Sequence, residues 1–280
     1  MTTVAALQMV SGTSVADNLA AAATLIARAA QQGATLLVLP EYFCLMGRQD
    51  TDKIAIREPA CTDLMADSMA DPTKNPIQNF LASQAKQHGV WLVGGTIPLS
   101  APRTDQVWNS TLVFNPAGEQ VARYDKIHLF SFSQGTESYD EAQTIAQGTQ
   151  PTAFTGPCGR VGLSICYDLR FPELYRALNS PEPLNLLVVP AAFTYTTGQA
   201  HWEILLRARA IENQCYVLAS AQGGKHENGR RTWGHSMLID PWGEIIDVLP
   251  EGSGIVTGAL DLEKLATIRH RLPALQHRKL

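Results

Sequence analysis

The 280-residue sequence predicts a layered α/β fold in which two sheets pack face to face and helices cover their outer sides. Three observations predict it. The segments Thr35–Phe43 and Asn185–Phe193 are apolar runs broken by a proline, Pro40 and Pro190, as strands buried on both faces would be. The segments Thr111–Glu119 and Ser236–Glu244 also match. Each reads as a strand, a Pro-x-Gly turn, and then a second strand, over Gln120–Tyr124 and Ile245–Leu249. Between these landmarks each half carries one helix and one more strand. They are Pro76–His88 and Val90–Thr96 in the first half, His201–Asn213 and Cys215–Ala221 in the second.

The order is therefore strand, helix, strand, helix, strand, hairpin, starting at Val4 and again at Val161. Neither half buries its sheet alone, so residues 1–280 are expected to form one domain with an internal pseudo-twofold repeat. A basic tail over residues 269–280 is expected at the surface or at a subunit contact. Ile127–Thr155, poor in apolar periodicity, is expected as the loop joining the halves.

Composition narrows the class. The chain is 45% hydrophobic with a net charge of −4 and mixed signs, which gives no bulk electrostatic case for nucleic acid or an anionic membrane. The cysteines at 44, 61, 158, 166 and 215 are odd in number, scattered and without a Cys-x-x-Cys pair. A disulfide framework or a structural zinc site is therefore not expected, and a reducing cytoplasm fits. No apolar run has the length of a membrane span, and the N-terminus lacks the basic region of a secretion signal.

Three sequence-distant residues stand at strand ends, where open α/β sheets place ligands. Cys166 closes the strand that begins near Arg160 and precedes a helix signalled by Arg170, Phe171, Pro172 and Glu173. A thiol at a helix N-terminus is favoured as thiolate, which makes it a candidate nucleophile. Glu41 follows an apolar strand and is expected in a partly dry pocket suited to proton transfer. Lys126 ends Val121–Asp125 and could donate to a charge-bearing oxygen. Taken singly, each also reads as structure: a solvated glutamate, a surface lysine and a cysteine filling the core. The run Gly162–Cys166 imitates a serine-hydrolase elbow, but Cys166 replaces its last glycine and Ser164 would lie mid-strand.

Together, Leu39–Glu41, Tyr124–Phe130 and Cys166–Glu173 resemble the three signature blocks of the nitrilase, or carbon–nitrogen hydrolase, superfamily, and the resemblance covers essentially the whole chain. It implies an α-β-β-α sandwich of two mixed sheets. It also implies Cys166 as nucleophile, Glu41 as general base and Lys126, with the Tyr167 backbone N–H, as stabiliser of the oxyanion. No metal or cofactor is implied. A second glutamate is implied in the loop after the lysine. Glu141, judged by its spacing to Gly148, matches that block, and Glu137 is the alternative.

The segments Ala200–Val217, Gly234–Met237 with Asp240–Gly243, and Leu272–Arg278 resemble the branch containing deaminated glutathione amidase and ω-amidase. That likeness implies a small α-keto acid amide as substrate and a homodimer or higher homo-oligomer. Arg170 is a candidate clamp for the substrate carboxylate, with an ion pair to Asp168 or Glu173 as its structural reading. Phe193, Thr194, Thr196 and Thr197 are expected to line the pocket, though the threonines equally suit turn chemistry. Arg207, Arg209 and Glu212 read as ion pairs on a structural helix, and His201 and Trp202 as pocket wall or packing. Nitrilase, N-carbamoyl amino-acid hydrolase, simple aliphatic amidase and a catalytically silent interaction protein are the competing readings.

Overall fold

The computed structural model describes residues 1–60, 74–135 and 137–279. Its first half runs β1 (Thr2–Gln8), α1 (Val15–Gln31), β2 (Leu36–Val38), α2 (Asp52–Ala55) and α3 (Pro76–His88). It continues through β3 (Trp91–Val93), β4 (Ile97–Ser100), β5 (Val107–Phe114) and β6 (Gln120–Asp125). A linking stretch holds β7 (Ser131–Gln134), β8 (Glu137–Asp140), a 3-10 turn (Glu141–Gln143) and β9 (Ile145–Ala146). The second half runs β10 (Ala153–Gly156), β11 (Gly159–Leu163), a 3-10 turn (Cys166–Arg170), α4 (Pro172–Leu178), β12 (Leu186–Ala191) and α5 (Tyr195–Asn213). Strands β13 (Tyr216–Ala221), β14 (Gly223–Lys225), β15 (Arg231–Trp233), β16 (Ser236–Ile239), β17 (Ile245–Leu249) and β18 (Gly254–Leu260) follow, and α6 (Leu262–Arg271) ends the order.

Two mixed sheets result. One has the order β18-β1-β2-β3-β5-β4, with β6 and β9 also paired to β5, and the other β10-β11-β12-β13-β16-β17. The central strands are parallel and the outer ones antiparallel. The period-two alternation of a strand sorts side chains between the layers. Val4, Ala6, Leu36 and Val38 join Val161, Leu163 and Val188 in the core that includes both sheets. Ala5, Leu7, Leu37 and Leu39 instead meet Leu25, Ile26 and Ala29 of α1 and Leu81 and Ala85 of α3. Both faces are apolar, which is why these strands read as continuous hydrophobic runs.

The hairpins of the repeat are β5–β6 and β16–β17, and their turns are built alike. Gly118 N–H donates to Asn115 O at 2.9 Å while Asn115 Oδ1 accepts from Ala117 and Glu119 N–H. In the other turn Gly243 N–H donates to Asp240 O at 3.0 Å, and Asp240 Oδ1 accepts from Trp242 and Glu244 N–H.

Several expectations are corrected. Residues 127–155 are not a plain loop: a hairpin, β7–β8, and the short strand β9 lie there, too brief to show a period. Helix α5 begins at Tyr195 rather than at His201, because Thr194 caps it with its side chain accepting from Thr197 N–H. The tail over 269–280 starts inside α6, where Arg269 Nε donates to Gln214 O. Strand β18, which the halves did not predict, returns to pair with β1 and ties the chain's end to the first sheet. Cys61 falls outside the described residues. No described helix is long and apolar enough to cross a membrane.

Candidate active site

Three strand exits converge, each governed by its local sequence. Beyond β2, Leu39-Pro40 carries the chain to Glu41, and Tyr42 then takes a left-handed φ of 56°. Gly95 permits this passage, since a Cβ there would meet Pro40 O at 2.2 Å. Beyond β11, Cys166 takes a left-handed φ of 49° at the start of its 3-10 turn. Such backbone costs roughly 1–3 kcal/mol at a non-glycine residue, and here one instance immediately follows Glu41 and the other is at Cys166 itself. At the end of β6, Tyr124, Lys126 and His128 alternate along the chain; Tyr124 and His128 reach Asp168 of the second half, and Lys126 reaches Glu41 beyond β2. Gly148 closes the loop over Lys126: its N–H donates to Lys126 O at 2.9 Å, and a Cβ would strike Asp125 O at 2.1 Å.

Lys126 is fully buried between two carboxylates. Its Nζ lies 2.9 Å from Glu41 Oε1, and 2.9 and 2.8 Å from the two oxygens of Glu141. Glu41 is equally buried and accepts from Asn109 Nδ2 at 3.0 Å and from Ala192 N–H at 2.9 Å. Glu141 accepts from the Tyr42 hydroxyl at 2.9 Å and from Phe130 N–H at 2.8 Å. Burial pushes Glu141 up, but Lys126 and the Phe130 N–H outweigh it and hold the carboxyl below its usual range. Burial likewise disfavours the Lys126 ammonium, and Glu141 and Glu41 overcome that and raise it. The side chain of Glu137, on β8, falls outside the described ones.

The thiol differs from the sequence expectation. The 3-10 turn separates Cys166 from α4, and desolvation dominates. Burial first and the Glu41 charge second push the Cys166 thiol well above its ordinary value, while Lys126 and the Ala192 N–H pull the other way. Cys166 thus rests as a neutral thiol beside a carboxylate, and both are within reach of one backbone N–H. At 8% exposure it is dry yet open to a ligand.

Residues read as structural, or given no part in the sequence reading, hold this arrangement. Asp168 accepts from the Tyr124 hydroxyl at 2.7 Å, from Ile165 N–H at 2.9 Å and from His128 N–H at 3.0 Å. It thereby fastens the Cys166 turn to both neighbours of Lys126. Arg209 donates twice to Leu169 O and pairs with Glu212, so α5 braces the same turn. Their signal was present: Asp168, Tyr124 and His128 lie inside the quoted blocks. Asn109 and Arg230 had none, as both lie outside every quoted block, Arg230 four residues before Gly234.

A chamber of about 280 Å³ opens on Cys166 and Glu41 and is lined by Glu141, Tyr167, Arg170, Phe193, Thr194 and Thr197, with Phe130 and Arg230. Arg170 makes neither anticipated ion pair. It bonds His201 Nδ1 at 3.2 Å and lies over the Tyr167 and Phe193 rings, leaving its charge without a carboxylate among the described residues. Thr196 is exposed on the first turn of α5, outside this wall. Thr194 and Thr197 share a 2.8 Å hydroxyl contact, so capping and lining coincide there. Trp202 packs on Phe193 and donates to His235 O. The buried Ser164 Oγ donates to Val188 O and is committed to structure.

An α-β-β-α sandwich whose strand exits bring together a thiol, two carboxylates and an ammonium defines a class of hydrolase. A model of the carbon–nitrogen hydrolase family matches residues 3–270, and the chain belongs to that family; it is an amidohydrolase. It is 40% identical over 279 residues to deaminated glutathione amidase of Yersinia enterocolitica, covering 99% of this chain and 92% of the relative. Among solved structures it resembles Nit3 of Saccharomyces cerevisiae, with a TM-score of 0.86, 30% identity and coverage of 100% and 97%. It also resembles the Caenorhabditis elegans NitFhit protein, with a TM-score of 0.86 and 35% identity. That match covers 99% of this chain and 65% of the longer one.

Proposed function

We propose that the chain hydrolyses deaminated glutathione to 2-oxoglutarate and cysteinylglycine through a thioester on Cys166. The observation that carries the mechanism is the buried array: a thiol, a carboxylate and one ammonium bridging two acids. Glu41 takes the Cys166 proton as sulfur attacks the amide carbon, so the thiolate exists only as the new bond forms. The oxyanion is met by Lys126 and by the Tyr167 N–H, which the first turn of a helix leaves without an intrahelical acceptor. The C–N bond breaks, and Glu41 passes its proton to the leaving amine. Water then attacks the thioester, gives a proton to Glu41 and releases the acid, and Glu41 returns the proton to sulfur. Glu141 orients Lys126, since Tyr42 and Phe130 N–H fix both its oxygens.

The substrate reading is supported by Arg170, a cation in the chamber wall with no acid partner, which suits the α-keto acid carboxylate. The α-keto acid head that suits Arg170 is shared by 2-oxoglutaramate, the substrate of an ω-amidase. A parallel assay decides between them: kcat/KM for cysteinylglycine release from deaminated glutathione against ammonia release from 2-oxoglutaramate. We expect the first to be larger. A nitrile or carbamoyl compound turned over faster than both would defeat the amidase reading. Cys166→Ala is expected to abolish turnover with an unchanged Tm; retained hydrolysis would exclude Cys166 as nucleophile.

A further inference from the structure

A second chamber of about 540 Å³ adjoins the first and is lined by Tyr42, Met46, Lys53, Tyr139 and Asp140, among others. The two share Phe130, Glu141 and Arg230, whereas Cys166 and Glu41 face only the inner one. The acyl group bonded to Cys166 must therefore lie inside, and the leaving amine is directed outward past Arg230.

Arg230 is an unusual wall residue. Its Nη2 donates to Ala192 O at 3.2 Å, Nη1 reaches only Met46 Sδ at 3.9 Å, and the guanidinium lies over the Tyr139 ring. Its Nε is buried without a partner, and none of its contacts among the described residues is a carboxylate. A buried guanidinium N–H left unmade is costly and calls for an acceptor. The acids of the outer chamber do not supply one: Glu141 is held by Lys126, Tyr42 and the Phe130 N–H, Asp140 caps its own turn, accepting from Ala142 N–H and Gln143 Nε2, each at 3.2 Å, and Asp50 is exposed. Lys53 adds a second cation there, donating to Thr144 Oγ1 at 3.3 Å.

We infer that Arg230 is a carboxylate-recognising residue for the leaving group, and that the outer chamber takes an amine bearing a free carboxylate, namely a short peptide. The inference rests on the amidase reading and deepens it. Arg170 and Arg230 are two unpaired guanidiniums on one path, a provision that suits a substrate charged at both ends. The neutral leaving group of 2-oxoglutaramate would use only one of them.

The test compares deaminated glutathione with the same compound carrying a C-terminal amide in place of the glycine carboxylate. The wild type should prefer the free acid by about 10- to 100-fold in kcat/KM, the size of one charge-assisted hydrogen-bonded contact. Arg230→Gln should bring that ratio close to one, Arg230→Lys should recover part of it, and Arg170→Gln should lower both rates while leaving the ratio intact. A ratio that survives Arg230→Gln overturns the inference. If the wild type hydrolyses neither compound, the deaminated-glutathione reading itself has failed. The subsite is then judged by calorimetry of cysteinylglycine and its amide on Cys166→Ala, with and without Arg230→Gln. Acid-selective binding that requires Arg230 upholds it, and equal binding of both ligands refutes it.

Discussion

The two halves of the chain end their matching central strands with the same device and put it to different uses. After β2 the run Leu39-Pro40 delivers a carboxylate, Glu41; at the end of β12 the run Val189-Pro190 delivers only methyl groups, Ala191 and Ala192. Yet the second exit is not idle, because the Ala192 N–H donates to Glu41 Oε2 and also acts on Cys166. One copy supplies the acid and the other the backbone that holds it. The hairpins diverge similarly. Matching their Pro-x-Gly turns sets Lys126 against Glu251, and the first is wholly buried while the second is 54% exposed and pairs with Arg231. A duplicated frame thus provides positions, and the chemistry comes from breaking the symmetry at them.

The largest effect should follow from removing the charge at the first hairpin end. Lys126→Met leaves Glu41 and Glu141 buried beside each other, at a cost of about 3–5 kcal/mol, and removes the cation proposed to meet the oxyanion, with an expected fall in kcat of about 100-fold or more. Adding Glu141→Gln should restore part of the Tm but none of the activity. Recovery of turnover in the double variant would separate Lys126 from the chemistry.

Acid should erase the same asymmetry more gently. The Glu141 carboxyl is held below its unfolded value, so the stability it contributes is complete above that value, about pH 4.3, and is lost as pH falls through the lower folded value. Thermal melts between pH 7 and pH 3 should show the wild type losing Tm below about pH 4 more steeply than Glu141→Gln. Parallel curves would place the acid sensitivity elsewhere. The smallest effect belongs to the counterpart position. Glu251→Ala breaks only an exposed ion pair, worth about 0–1 kcal/mol, and kcat/KM should stay within about twofold.

Much of this was legible before any coordinates. The apolar runs around Pro40 and Pro190 marked strands covered on both faces, because a doubly buried strand has no polar side to alternate with. Glu41, Lys126, Cys166 and Glu141 stood out because each ends or follows a regular element in a recognisable block. Thr196 and the helix start at Tyr195 were misjudged for a related reason: a capping threonine and a lining threonine look alike in one dimension, and only the helical turn separates them.

What the sequence determined by itself is the repeat, the layering and the set of reactive groups, since local pattern and residue chemistry suffice for these. The tertiary structure decided their states. Cys166 is a neutral thiol rather than a helix-stabilised thiolate, because burial and a neighbouring carboxylate outweigh a short 3-10 turn. Lys126 bridges two acids, Asp168 fastens the Cys166 turn, and Arg230 stands between two chambers without a carboxylate partner among the described residues. Each depends on which distant atoms share a dry space, and the strength of a charge there is set by its neighbours rather than by its own residue type.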